Sequence, residues 1–195
     1  MSLEAKVYLT PEEYLANERK AERRSEYFAG EVFAMAGAGE AHNLIVANII
    51  SELRAQFKER PCRVYPSDMR VKVSATGLYT YPDVVAVCGE SKFEDDLRDT
   101  LLNPSVIFEV LSESTEAYDR GKKFKNYRKL ESVLDYLLVD PKSYRIEHYI
   151  RQPQNRWLLV EISGAQETVH LESIGCELAL AEVYDKVEIG ESVNR

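Results

Sequence analysis

A chain of 195 residues that is 45% hydrophobic and 30% charged can bury one substantial core, and a single domain over residues 1–195 is expected. No apolar run approaches the length that crosses a bilayer, and MSLEAKVYLT lacks a secretory-leader pattern, so no membrane association is expected. A net charge of −8 argues against a passive coat on nucleic acid, but leaves room for an enzyme that meets phosphates through one local patch.

Cys62, Cys88 and Cys176 are widely spaced, with no CxxC motif and no even-numbered framework. Cys88 ends an apolar run and reads as a small buried hydrophobe, and a reducing, cytoplasmic setting follows.

In chain order, Thr10-Pro11-Glu12-Glu13 predicts a helix start, with Thr10 as cap and Glu13 closing a capping box, running to about Lys20. SEYFAGEVFAMAG predicts a hairpin, Glu26–Phe28 and Glu31–Met35, turning at Ala29-Gly30. Val46, Ile49, Ile50, Leu53 and Phe57 recur at a helical period, so a second helix spans His42 to Lys58 and stops before Pro61. Arg63–Tyr65 and Met69–Val73 are β-rich, and Gly77 marks a turn before the run Val84–Cys88. GESKFEDDLRDT is charged enough to be a surface loop.

A second apolar strand enters at Val106 and runs through Leu111. Ser114 or Thr115 can cap a helix reaching about Leu130, and Val133–Val139 is a third buried strand. Continuous apolar runs, unlike alternating ones, predict strands covered on both faces. Tyr144–Ile150, Trp157–Ile162 and Thr168–Leu171 alternate and read as antiparallel hairpins, before a short terminal element at Leu178–Val183. The order predicts a one-domain mixed-sheet α/β sandwich.

Two of the apolar strands each carry one carboxylate, Asp83 after Pro82 and Glu109 inside VIFEVL. A buried carboxylate is costly unless it is paired or coordinated. Each alone could be a strand-end group in a salt bridge; together, on neighbouring strands, they resemble metal ligands. Asp119, Lys123 and Tyr127 follow at i, i+4 and i+8 on one helix face, so Lys123 can project over the strand ends. An ordinary i,i+4 ion pair on an exposed helix has the same spacing, which does not separate the two. Basic residues cluster at Arg120–Lys129 and Arg19–Arg24, where solvated helix faces are the plain reading. Two acids and a lysine suggest a divalent cation acting on phosphate. No GxSxG, P-loop or GxGxxG motif offers another chemistry, no cofactor-binding motif is seen, and no His/Cys pattern suits zinc.

The run YPDVVAVC…NPSVIFEVLSEST…YDRGKKFKNY…LDYLLVD, with LTPEEYL, SEYFAGEVFAMAGA and His42, closely resembles the Uma2 (DUF820) family of the PD-(D/E)XK nuclease superfamily, over roughly Val7 to Val160. The resemblance implies a restriction-endonuclease-like core, an α+β mixed sheet flanked by helices, with added antiparallel hairpins. It implies that Asp83 and Glu109 are catalytic and bind Mg²⁺ (or Mn²⁺), and that Lys123 is the catalytic lysine. The superfamily lysine usually stands two residues after the second acid, where this chain has Leu111, so the following helix would supply it. Accessory roles are expected among Asp68, Glu31, Glu26, His42, Asp119 and Tyr127, with Asp68 and Glu31 ahead of Glu26. The implied function is a Mg²⁺-dependent endonuclease on nucleic acid, DNA first, acting as a homodimer. The rival is a catalytically silent module that uses the same fold to bind nucleic acid or a protein partner.

Overall fold

The computed structural model describes residues 8–190. Helix α1 (Pro11–Glu18) begins with the expected capping box: the Thr10 hydroxyl accepts from the Glu13 amide at 3.2 Å, and the Glu13 carboxylate accepts from the Thr10 amide at 2.8 Å. Strands β1 (Ser25–Phe28) and β2 (Glu31–Ala34) pair Phe28 with Glu31 across Ala29 and Gly30. Those two residues have φ of 50° and 89°, the positive pair that a two-residue hairpin turn needs.

Helix α2 (Glu40–Gln56) buries Ile45, Ile49 and Leu53 completely, one residue per turn on one face. Strands β3 (Cys62–Pro66), β4 (Arg70–Val73), β5 (Leu78–Thr80), β6 (Val84–Cys88), β7 (Thr100–Leu101) and β8 (Val106–Val110) follow. The sequence did not announce β5 and β7, and β7 begins at the end of the charged segment expected to be loop. Both are too short to show a period; pairing with β4, antiparallel and parallel respectively, makes them strands.

The helix expected after Ser114 or Thr115 is present with Thr115 as its N-cap, but it ends at Tyr127 and contains a π-helical turn: α3 (Glu116–Tyr118), the π turn over Asp119–Lys123, and α4 (Phe124–Tyr127) follow without a break. Gly121 sits at the centre of the π turn, where a weak helix former tolerates a widened turn. Then come β9 (Asp135–Val139), β10 (Arg145–Gln152), β11 (Arg156–Ser163), β12 (Thr168–Leu171), β13 (Cys176–Ala179) and α5 (Leu180–Val183).

The main sheet has the order β11-β10-β9-β8-β6-β3, and a second sheet runs β2-β1-β5-β4-β7. The main sheet is mixed, because β8 and β9 are parallel and the α3–α4 segment crosses over between them. One of its faces (Val84, Ala86, Val106, Phe108, Val110, Leu137, Val139) packs on α2, on α5 and on the β12–β13 hairpin. The other (Val85, Ile107, Tyr136, Leu138) packs on Val71, Val73, Leu78 and Leu101 of the second sheet and on Tyr127. Strands β6, β8 and β9 are therefore covered on both sides, as their continuous apolar runs predict.

Two of the three cysteines are paired, against the expectation from their spacing. Cys62 and Cys88 lie directly opposite in the β3–β6 register and form a disulfide, and Cys88 is only half-buried. Antiparallel pairing brings together two residues 26 apart, a proximity invisible to a search for short Cys spacings. The expectation of a reducing compartment, in so far as it rested on unpaired cysteines, loses that support; Cys176 alone is free, and buried. Among the described residues no helix is long and apolar enough to cross a membrane.

Candidate active site between the main sheet and the π turn

Strands β6 and β8 are antiparallel with Val84 opposite Phe108, and one further step along that register sets Asp83 opposite Glu109. Alternation puts both on the face of Val85 and Ile107, towards the second sheet and α4. The Asp83 Oδ2 accepts from the Val110 amide at 2.7 Å, which ties the end of one strand to the next, and lies 3.2 Å from His42 Nε2 at the start of α2.

Glu109 is 2% exposed. Its Oε1 accepts from Lys123 Nζ at 2.9 Å and from the Tyr127 hydroxyl at 2.9 Å. The π turn carries Asp119 and Lys123, and α4 carries Tyr127, so this crossover supplies three side chains to the site. Lys123 is itself buried, with Asp119 Oδ1 at 3.4 Å and Glu26 Oε1 at 3.5 Å. Although the Lys123 ammonium lies 3.4 Å from Asp119 Oδ1, that oxygen has no hydrogen-bond partner, and neither does His42 Nδ1. The Asp119 carbonyl accepts from the Tyr136 hydroxyl at 3.0 Å, which pins the π turn to β9.

The structure thus brings Asp83, Glu109, Lys123, Asp119, Tyr127, His42 and Glu26 into one linked group. It does not bring Asp68, whose carboxylate is exposed and bonds Arg24 at 2.8 Å. Asp68 lies in the turn between β3 and β4, where its partner is Arg24 and not Lys123. Glu31 opens β2 across the turn from β1, and the hairpin acid in contact with Lys123 is Glu26. Sequence reasoning passed over Tyr118, which donates to Glu26 Oε2 at 3.1 Å, and Thr80, which donates to Glu26 Oε1. The available signal for Thr80 was its position in LYTYPD, inside an apolar strand directly ahead of Asp83.

Burial, and then the charges of Asp119 and Asp83, push the Glu109 carboxyl well above the usual carboxylate range against the pull of Lys123. Burial raises Asp119 as well, opposed by Lys123. Burial works against the Lys123 ammonium, yet Glu109, Glu26 and Asp119 outweigh it and hold it above its ordinary value. One lysine serves several carboxylates, and the site is short of positive charge.

Among the described residues no three His, Cys, Asp or Glu side chains form a ready-made metal cage. Asp83 and Glu109 are a pair of hard oxygen donors. Such a pair fits Mg²⁺, which is commonly held by one or two carboxylates and keeps several waters. The unpartnered Asp119 oxygen and the surplus of negative charge point the same way.

A family model described as "Uma2: Putative restriction endonuclease" matches residues 11–181. The chain is 38% identical to "Uncharacterized protein sll1609" of Synechocystis sp. over 156 residues, 80% of this chain and 88% of that one. It is 34% identical to "Uncharacterized protein slr1290" of the same organism, over 90% and 91% of the two chains. A crystal structure titled as a putative nuclease belonging to DUF820, from Anabaena variabilis, superposes with a TM-score of 0.75 at 18% identity, covering 92% of this chain and 99% of that one. That likeness shows the shared fold. By family and by architecture, the chain belongs to the Uma2 family and has a restriction-endonuclease-like fold.

Proposed function

We propose that the protein is a Mg²⁺- or Mn²⁺-dependent endonuclease that hydrolyses phosphodiester bonds in DNA. The observation that carries this reading is the meeting of Asp83, Glu109 and Lys123 where β6 and β8 lie side by side, with more carboxylate than cation around them. Asp83 and Glu109 would hold the ion. When bound, it supplies charge neutralisation at the phosphoryl group and a water of lowered pKa. Lys123 donates to a phosphate oxygen as negative charge builds there. Tyr127 fixes the Glu109 carboxylate, and the Val110 amide fixes that of Asp83, so both are oriented before substrate arrives.

Nicking of supercoiled plasmid with Mg²⁺ or Mn²⁺ tests this, and cleavage undiminished in Asp83→Ala would overturn it. A second reading is a silent module that binds nucleic acid or protein, favoured by how fully Lys123 is already engaged with Glu109, Asp119 and Glu26. Calorimetric titration with Mn²⁺ separates the two, because the silent module takes up no ion.

We place the protein in the cytoplasm with its substrate, and as a homodimer. In support of the dimer, β11 is an open edge of the main sheet and exposes Leu158, Leu159 and Val160 in succession.

A further inference from the structure

A cavity of about 490 Å³ lies between the C-terminal end of α2 and β3, remote from the acidic cluster. Its lining includes Arg54, Lys58, Arg60 and Arg63, with Phe57 and Tyr65, and no acid. Four cations on one cavity are conspicuous in a chain of net charge −8.

They differ in what holds them. Arg60 is structural: it bonds the carbonyls of Gly175, at 3.0 Å, and of Ile174. Arg54, Lys58 and Arg63 are exposed, and none has a carboxylate partner among the described residues. Arg63 makes one long hydrogen bond, 3.4 Å to the Gly89 carbonyl. The negative end of the α2 dipole accounts for cations in and just beyond its last turn. It does not account for Arg63, which comes from the strand.

Strand β3 is also the outer edge of the main sheet, so nothing in that sheet lies beyond it. Antiparallel pairing puts Cys62 beside Cys88 at one end of β6, with Asp83 just before the other. Five residues of strand separate the two ends, about 17 Å.

We infer that Arg54, Lys58 and Arg63 form a second phosphate-binding surface, separate from the acidic cluster, which grips the backbone of the nucleic acid. The inference rests on the proposed nuclease function for its ligand, but the cations and the cavity stand without it. A grip of this kind gives affinity with no sequence preference.

The test is fluorescence anisotropy of a labelled 20-base-pair duplex in EDTA, so that no cleavage occurs, across a salt series. The triple variant Arg54→Gln/Lys58→Gln/Arg63→Gln is compared with wild type. These side chains are exposed and outside the cluster around Lys123, so the thermal midpoint should hold. The variant is expected to bind about tenfold or more weakly at 0.1 M salt, and its log K against log[salt] slope to fall by about 2.7, roughly 0.9 for each phosphate no longer neutralised. Equal affinity and equal slope would overturn the inference while leaving the nuclease reading intact. If wild type binds no duplex, thermal shift with inorganic tripolyphosphate decides. Stabilisation of wild type and not of the variant keeps the phosphate site, and no stabilisation of either overturns it; plasmid nicking with Mg²⁺ decides the nuclease reading separately.

Discussion

Lys123 reaches Glu109 at 2.9 Å with both side chains buried, and the same ammonium also serves Asp119 and Glu26. The two partners should therefore not be equally costly to remove. Loss of the cation leaves several buried carboxylates uncompensated, and breaking a buried pair in that way costs about 3–5 kcal/mol. Glu109→Gln keeps the shape, keeps an acceptor for Tyr127, and removes one of the crowded negative charges. Urea unfolding at neutral pH is expected to show Lys123→Met losing about 3–5 kcal/mol and Glu109→Gln losing less than about 1.5 kcal/mol, the scale of one ordinary hydrogen bond. Equal losses would mean that the carboxylates are not in surplus.

Asp83 takes a different kind of support. Its Oδ2 accepts from the Val110 amide at 2.7 Å, a bond that an amide oxygen can also accept. Asp83→Asn is therefore expected to keep the β6–β8 tie and the thermal midpoint, while both Mn²⁺ uptake in calorimetry and plasmid nicking disappear. A variant that keeps full Mn²⁺ affinity would remove Asp83 from the metal site.

Away from the site, Arg19 holds Asp99 at 2.8 Å, and with Arg70 at 3.1 Å it pulls the Asp99 pKa from 3.8 down to about 2, against a partial cost of burial. A depressed carboxylate contributes stability that is fully present above its unfolded pKa of about 3.9 and is lost as pH falls through the folded value. The Arg19 and Asp99 side chains are 27% and 35% exposed, so solvent screening reduces the contribution to about 1 kcal/mol. Asp99→Asn should be less stable than wild type by about that amount at pH 6, and the gap should close as pH falls from 4 towards 2. A gap that is constant with pH would show that Asp99 is not titrating against the arginines.

Much of the frame could be read from the chain because local chemistry decides it: the Thr10–Glu13 box, the Ala29-Gly30 turn, the buried spacing Ile49–Leu53–Phe57, and the unbroken apolar runs of β6, β8 and β9. What escaped was set by partners distant in sequence. Strand β7 exists because β4 pairs with it, Arg70 opposite Thr100, and the Cys62–Cys88 bond exists because β6 returns along β3. The same division runs through the site. The motif acids and Lys123 are legible as residue types at a spacing. The choice of Glu26 over Asp68 depends on a hairpin folding across the sheet ends, and the π turn depends on burying Asp119 and Lys123 together.

Strand β11 leaves one edge of the main sheet open. Two copies of β11 can pair antiparallel about a two-fold axis normal to the sheet, which keeps each residue on its own face and so matches residues of like parity. Centred on Leu159, that register sets Leu158 opposite the partner's Val160 and covers the apolar residues now 50%, 49% and 37% exposed at Leu158, Leu159 and Val160. Light scattering after size exclusion is expected to give twice the 22.3 kDa chain mass for wild type. Leu159→Glu would place two like charges face to face on the axis. That variant should elute as a monomer with its thermal midpoint unchanged at low concentration, since Leu159 packs on little within its own chain. A wild type that is monomeric at every concentration, or a variant that stays dimeric, would rule out pairing through this edge.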